Sequence, residues 1–75
     1  MQKPTKGYDA EHRSLIEGRS VIRYEDVLWI YHGAWVDNAT GKVTMLVSSR
    51  RNSKMRLIHN KDRRKVKLEF TVDDN

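Results

Sequence analysis

The sequence predicts a mainly β domain: a short N-terminal helix, then a four- to five-stranded antiparallel meander. Three observations predict it. The stretch Val21 to Val36, VIRYEDVLWIYHGAWV, holds both tryptophans, two of the three tyrosines and the densest run of branched aliphatics, residue types that favour strands. In KVKLEFTV, Val66, Leu68, Phe70 and Val72 alternate strictly with Lys65, Lys67, Glu69 and Thr71, the period of a strand with one face in the core and one in water. Polar clusters rich in Asp, Asn, Gly, Ser and basic residues recur between the apolar runs, where hairpin turns are expected.

The first seven residues, with Pro4 and Gly7, show no periodic apolar face and read as a flexible tail. The domain itself is expected over 8–72. Asp9 suits an N-cap, because its carboxylate can accept from an amide two or three residues on. Glu11 falls in the first turn, where the helix dipole favours negative charge. Gly18 can take the left-handed conformation that ends a helix. These signals predict a helix of about two turns over 10–17 that docks Leu15 and Ile16 on the sheet, since so short a helix is unstable alone.

Val21, Ile22 and Tyr24 then suit a short strand, and Glu25-Asp26 a bend or a bulge. In 27–36, Val27, Trp29, Tyr31 and Trp35 share one parity. Leu28, Ile30, His32, Ala34 and Val36 share the other. A strand apolar on both faces is a central one. Gly33 inside it suggests a kink or bulge. KVTMLVSS is a strand with Val43, Met45 and Val47 on one face. MRLIHN is a short strand, and KVKLEFTV closes the sheet. Asp73, Asp74 and Asn75 read as an acidic tail. In element order and length this resembles the Sm-like and SH3-like small barrels, which implies a small barrel or a strongly bent sheet. A pleckstrin-homology-like half-sheet is the architectural alternative.

Composition bounds the function. Seventy-five residues make one domain, small enough to bury only about 60% of its unfolded surface. The absence of cysteine excludes disulfides, thiolate metal sites and a cysteine nucleophile, and fits a cytoplasmic protein. No signal peptide and no membrane span is expected. His12, His32 and His59 fall on three different elements without metal-ligand spacing. The serines lack the context of a nucleophile elbow, and the four glycines form no phosphate loop. Neither an enzyme nor a cofactor or metal is therefore expected.

The net charge of +5 hides an asymmetry. Residues 50–67 hold nine basic side chains against Asp62 alone, a local charge of +8, and the rest of the chain carries −3. Arg50, Arg51 and Lys54 fall in one expected turn, Lys61, Arg63 and Arg64 in the next, and Arg56, Lys65 and Lys67 in the strands around them. On a meander these form a stripe, which suits a phosphate backbone better than a point ligand. Ser49, Asn52, Ser53 and Asn60 could add neutral hydrogen bonds. Most aromatics are expected in the core. Trp35, at a strand end, is the expected exception and a platform for an unpaired base.

The expected function is a non-enzymatic nucleic-acid-binding module. RNA or single strands are favoured, since no amphipathic recognition helix is available for a major groove. The alternative is a small accessory protein of the phage or mobile-element type whose basic stripe meets an acidic surface of a larger protein machine. Self-association through an open sheet edge is a further possibility.

Overall fold

A computed structural model describes residues 2–73. The strands are β1 (Gln2–Thr5), β2 (Gly7–Tyr8), β3 (Ser14–Leu15), β4 (Ser20–Tyr24), β5 (Val27–Asp37), β6 (Val43–Ser49), β7 (Met55–Ile58) and β8 (Lys67–Thr71), with a 3₁₀ helix over Asn60–Lys65. The protein is mainly β. Five strands form an antiparallel sheet in the order β7–β6–β5–β4–β8, and β1 adds a sixth beside β5. β2 and β3 pair as a separate hairpin.

The long strand β5 organises the sheet. β6 pairs along one side of it, from Trp29 to Val36. Its other side is filled by three pieces of chain. β4 takes Val27 to Ile30, and β1 takes Ala34 to Asp37. Between them the Gly18 amide donates to the Tyr31 carbonyl at 2.7 Å. Gln2–Thr5 is therefore no tail. β5 outruns β4, and its exposed backbone groups need partners. A polar segment supplies them without any apolar periodicity. Asp73 lies within the described residues, 3.8 Å from Arg19 Nη2. The rest of the expected acidic tail lies outside them.

The expected N-terminal helix is absent. Asp9 does accept from downstream amides, Glu11 at 3.0 Å and Arg13 at 2.8 Å. The chain then turns away from the helical path, because His12 is left-handed at φ 62°. Residues 9–13 become the loop of the β2–β3 hairpin, closed by the Asp9 amide on the Arg13 carbonyl. Two turns of helix would gain little in isolation. The loop instead lets the buried Asp9 carboxylate bind Arg13 and the Leu68 amide, while Leu15 enters the core.

Glu25-Asp26 is neither a bend nor a bulge. Both residues have positive φ (54° and 62°) and Tyr24 pairs with Val27, so they form a two-residue hairpin turn. Mirror-image turns of this hand match the twist of the flanking strands.

The meander runs only as far as β7. The chain then crosses through the 3₁₀ helix to the opposite edge of the sheet, where β8 pairs with β4. Asn60 Oδ1 accepts from the Val43 amide at 3.0 Å and fixes where the crossing starts. Among the described residues β7 and β8 do not pair, so the sheet is open and not a closed barrel.

The core lies on one face of this sheet. Ile22, Tyr24, Trp29, Tyr31, Ala34, Met45, Val47 and Ile58 contribute from the strands. Leu15 from the β2–β3 hairpin and Val66 after the 3₁₀ helix cover them. Trp29 keeps its indole donor satisfied on the Tyr24 carbonyl at 3.0 Å.

Two bulges decide what lies on the other face. In β5 the register slips at His32, so Tyr31 faces Val47 but Gly33 faces Leu46. Gly33, at φ 152°, makes the slip possible. Ala34 therefore joins Tyr31 on the core face and Trp35 leaves it, the reverse of simple alternation. The expected bulge is real, and it exchanges the parities of 34–36. In β8 the register slips at Glu69, so Ile22 faces Leu68 but Val21 faces Phe70. Val66 and Leu68 point to the core. Phe70, expected beside them, is turned outward.

Candidate interaction face

The outer face of the sheet has no element packed over it among the described residues, since the hairpin and the 3₁₀ helix both serve the core side. Its side chains can be placed from strand register. One cross-strand row runs Met55, Ser48, Ile30, Val21, Phe70. A second runs Leu57, Leu46, Gly33. Val21 in the middle is fully buried by its neighbours, whereas Met55, Leu57 and Phe70 are 57%, 50% and 44% exposed. At one end of the face Trp35 sits half-buried between Thr44 and Pro4. His32 reaches this face as well, since its Nε2 lies 2.6 Å from Ser48 Oγ.

The other end is basic. Leu28 pairs with Arg23, and Arg23 with Lys67. Arg50, one residue past Ser49, continues this row beyond Leu28. Its guanidinium lies 5.5 Å from the Phe70 ring centroid, a cation–π contact. A groove of about 430 Å³ lined by Asp26, Val27, Leu28, Arg50 and Arg51 opens beside it. Arg23 is partly neutralised, with Nε 2.7 Å from Glu69 Oε1. The hydrogen bond and charge of Glu69 hold the Arg23 guanidinium above its ordinary pKa, and Arg23 holds the Glu69 carboxyl below its own.

The basic residues expected to form one stripe thus fall into separate places. Arg50, Arg51 and Lys54 occupy the β6–β7 turn, and Lys67 lies on the outer face of β8. Trp35 shares that face. Arg56 does not. It lies on the core side of β7, 5.0 Å from the Tyr24 ring centroid and 5.6 Å from that of Trp29, and it is paired with Glu25. Lys61, Arg63, Arg64 and Lys65 belong to the 3₁₀ helix, and Lys61 lines a groove of about 320 Å³ with Lys42, His59, Asn60 and Thr44, the register partner of Trp35. Lys65 is 3.6 Å from Asp62, and Arg63 Nη1 donates to Asn60 Oδ1 at 3.4 Å.

Three of the polar residues expected beside the stripe are occupied by the fold. Ser49 Oγ accepts from the Arg51 amide, Asn52 Oδ1 from the Lys54 amide, and Asn60 Oδ1 from Val43. Ser53 is exposed, at φ 60°. Among the described residues no three His, Asp or Glu side chains gather as a metal ion would need, and no helix is long and apolar enough to cross a membrane.

Sequence reasoning missed Phe70, Met55, Leu57, Arg23 and Lys67's row partners as a set. No residue in LEF marks a bulge. Gly33 was the one signal for the exchange of parity that brings Trp35 to this face. Compared with family models, with curated protein sequences and with solved structures, the chain matches none.

Proposed function

We propose that the protein is a non-enzymatic nucleic-acid-binding module whose site is the outer face of the sheet. The observation that carries this reading is the pair of bulges. Each turns an aromatic ring, Trp35 or Phe70, away from the core and onto one open face whose end is cationic. Open antiparallel sheets with outward aromatics suit unpaired bases, which stack on rings at about 1–3 kcal/mol per base. Arg50, Arg51, Lys54 and Lys67 would hold the phosphates. Arg63, Arg64 and Lys65 would extend the attraction by their field and not by contact at this face, and Lys61 would meet a phosphate from the groove it lines with Thr44. RNA or single strands are favoured over duplex DNA, since the one helix among the described residues is a short 3₁₀ segment. A cytoplasmic setting fits a chain without cysteine.

Binding to labelled single-stranded RNA, single-stranded DNA and duplex DNA at about 50 and 200 mM salt tests this reading, because contact with six or more phosphates costs decades of affinity over that range. Single strands should bind best and weaken steeply with salt. No binding at the lower salt removes the proposal.

A second reading, an accessory protein that docks on a larger machine, is favoured by one observation. Met55 and Leu57 make an exposed apolar patch beside the half-buried Leu46, which serves a protein partner better than a base.

A further inference from the structure

The β7 and β8 edges of the sheet are finished differently. At β8 the outward Leu68 amide is taken by Asp9 Oδ2 at 2.9 Å, and the hairpin loop adds a bond from the Ala10 amide to the Val66 carbonyl. At β7 no such cover exists among the described residues. The hydrogen-bond phase there follows from its turn. The Ser49 amide donates to the Lys54 carbonyl, and the β6–β7 register continues through Ser48–Met55 and Val47–Arg56. Antiparallel pairs alternate between bonded and non-bonded, so Arg56 and Ile58 bond inward to β6. The amides and carbonyls of Met55 and Leu57 face outward. The same two residues carry the most exposed large hydrophobic side chains of the outer face. β7 therefore offers free backbone groups and apolar side chains at the same positions.

Cations stand at both ends of this edge. Arg50, Arg51 and Lys54 precede β7. Lys61, Arg63, Arg64 and Lys65 follow it, with Asp62 the one acid among them. A second copy pairing antiparallel through β7 would set the turn of one chain beside the 3₁₀ helix of the other, positive against positive. That charge pattern opposes self-association and suits an acidic strand.

We propose that the free edge of β7 takes an extended acidic peptide by strand addition, a binding mode in which main-chain hydrogen bonds give affinity and side chains give specificity. The partner strand pairs with Met55 and Leu57, sets apolar side chains beside theirs on the outer face, and carries carboxylates that meet the cations at either end. The peptide site shares Arg50, Arg51 and Lys54 with the nucleic-acid reading, and differs from it in using β7 in place of Phe70 and Lys67 on β8.

The test uses the full chain and a short synthetic peptide that alternates valine with glutamate. Binding should slow hydrogen exchange at the Met55 and Leu57 amides. N-methylation along one edge of the peptide removes its bonds but leaves its charge, and should weaken binding about tenfold or more. Leu57→Pro removes an outward donor that no ladder bond uses, and should weaken the parent peptide similarly. Phe70→Ala should leave peptide affinity unchanged while weakening RNA, so the two proposals fail separately. Equal binding of the N-methylated peptide overturns the inference, because charge alone would then suffice. So does unchanged exchange at Met55 and Leu57, or protection of those amides by a single-stranded RNA and not by the peptide.

Discussion

The guanidinium of Arg50 lies 5.5 Å from the ring centroid of Phe70, although the two belong to opposite sides of β5. The arginine comes from the turn after β6 and the ring from β8, so the contact spans the cationic end of the outer face. It exists because the Glu69 bulge turns Phe70 out of the core. This relationship separates residues that serve the face from residues that serve the fold.

Phe70→Ala and Val66→Ala, both on the last apolar run, should therefore act oppositely. Val66 is fully buried, and its truncation should cost about 2 kcal/mol of stability. Phe70→Ala should cost about 1 kcal/mol or less but reduce single-strand affinity about tenfold if the ring stacks on a base. Denaturant melts and binding isotherms on the two variants decide it.

Arg56 and Arg50 should part in the same way. Arg56→Ala removes the cation over Tyr24 and Trp29 and the partner of Glu25, and should cost about 1 kcal/mol of stability. Its effect on nucleic-acid binding should be small. Arg50→Ala with Arg51→Ala should leave the melt nearly unchanged and flatten the salt dependence of binding.

Asp9 should make the fold acid-sensitive. Burial pushes its carboxyl up, but hydrogen bonds from the Leu68 and Arg13 amides, the Arg13 guanidinium and the Glu11 amide outweigh this and hold it below its ordinary 3.8. Because the folded value is lowered, the stabilisation is full above the unfolded value and is lost as pH falls below about 4 through the folded one. Asp9→Asn should destabilise at neutral pH by about 1–3 kcal/mol and flatten the acid limb of a stability–pH curve.

Tyr31 should act at the alkaline end. Burial, with the nearby Glu17 charge, pushes its hydroxyl up to about 12. A raised value means that the folded state keeps the proton longer. Stability is then full below the unfolded value near 10 and falls as pH rises from about 10 to 12. Tyr31→Phe should remove that part of the decline, read by melts across alkaline pH.

Gly7 packs directly on the same ring. A Cβ there would lie 2.2 Å from Tyr31 Oη and 2.6 Å from Cζ. Gly7→Ala should cost about 1–3 kcal/mol through overpacking. A thermal melt measures it, and Gly41→Ala, with open space at its Cβ but φ 72°, gives the contrasting case of backbone strain without a clash.

Much of this fold can be read from the residues. The alternation of Val43, Met45 and Val47 gives β6 and its buried face correctly, and the apolar density of 27–36 marks β5 as central. The rest depends on partners distant in the chain. β1 forms because β5 outruns β4, which no local property of QKPT reveals. The capping residues around Asp9 read as a helix start because the same carboxylate geometry serves a helix and a hairpin loop. The Glu69 slip carries no glycine and left Phe70 in the expected core. For the site, the concentration of charge in 50–67 was visible. Its division was not, because Arg56 alternates onto the core side and the segment after Ile58 crosses the sheet and does not turn back.

The pairing of β8 with β4 has a consequence for how the protein acquires its structure. β4 can close its hairpin with β5 at once, yet its other side waits for the strand at the far end of the fold. Such long-range closure must be preceded by the loss of chain entropy that it later offsets, which slows folding. A chain cut before Lys67 would leave β4 as a raw edge and Asp9 without its Leu68 donor. The part from β4 to β7 would then carry a second open margin at β4, through which it could pair with copies of itself. The short final strand thus acts as the lock of the structure, and unfolding should begin by its release.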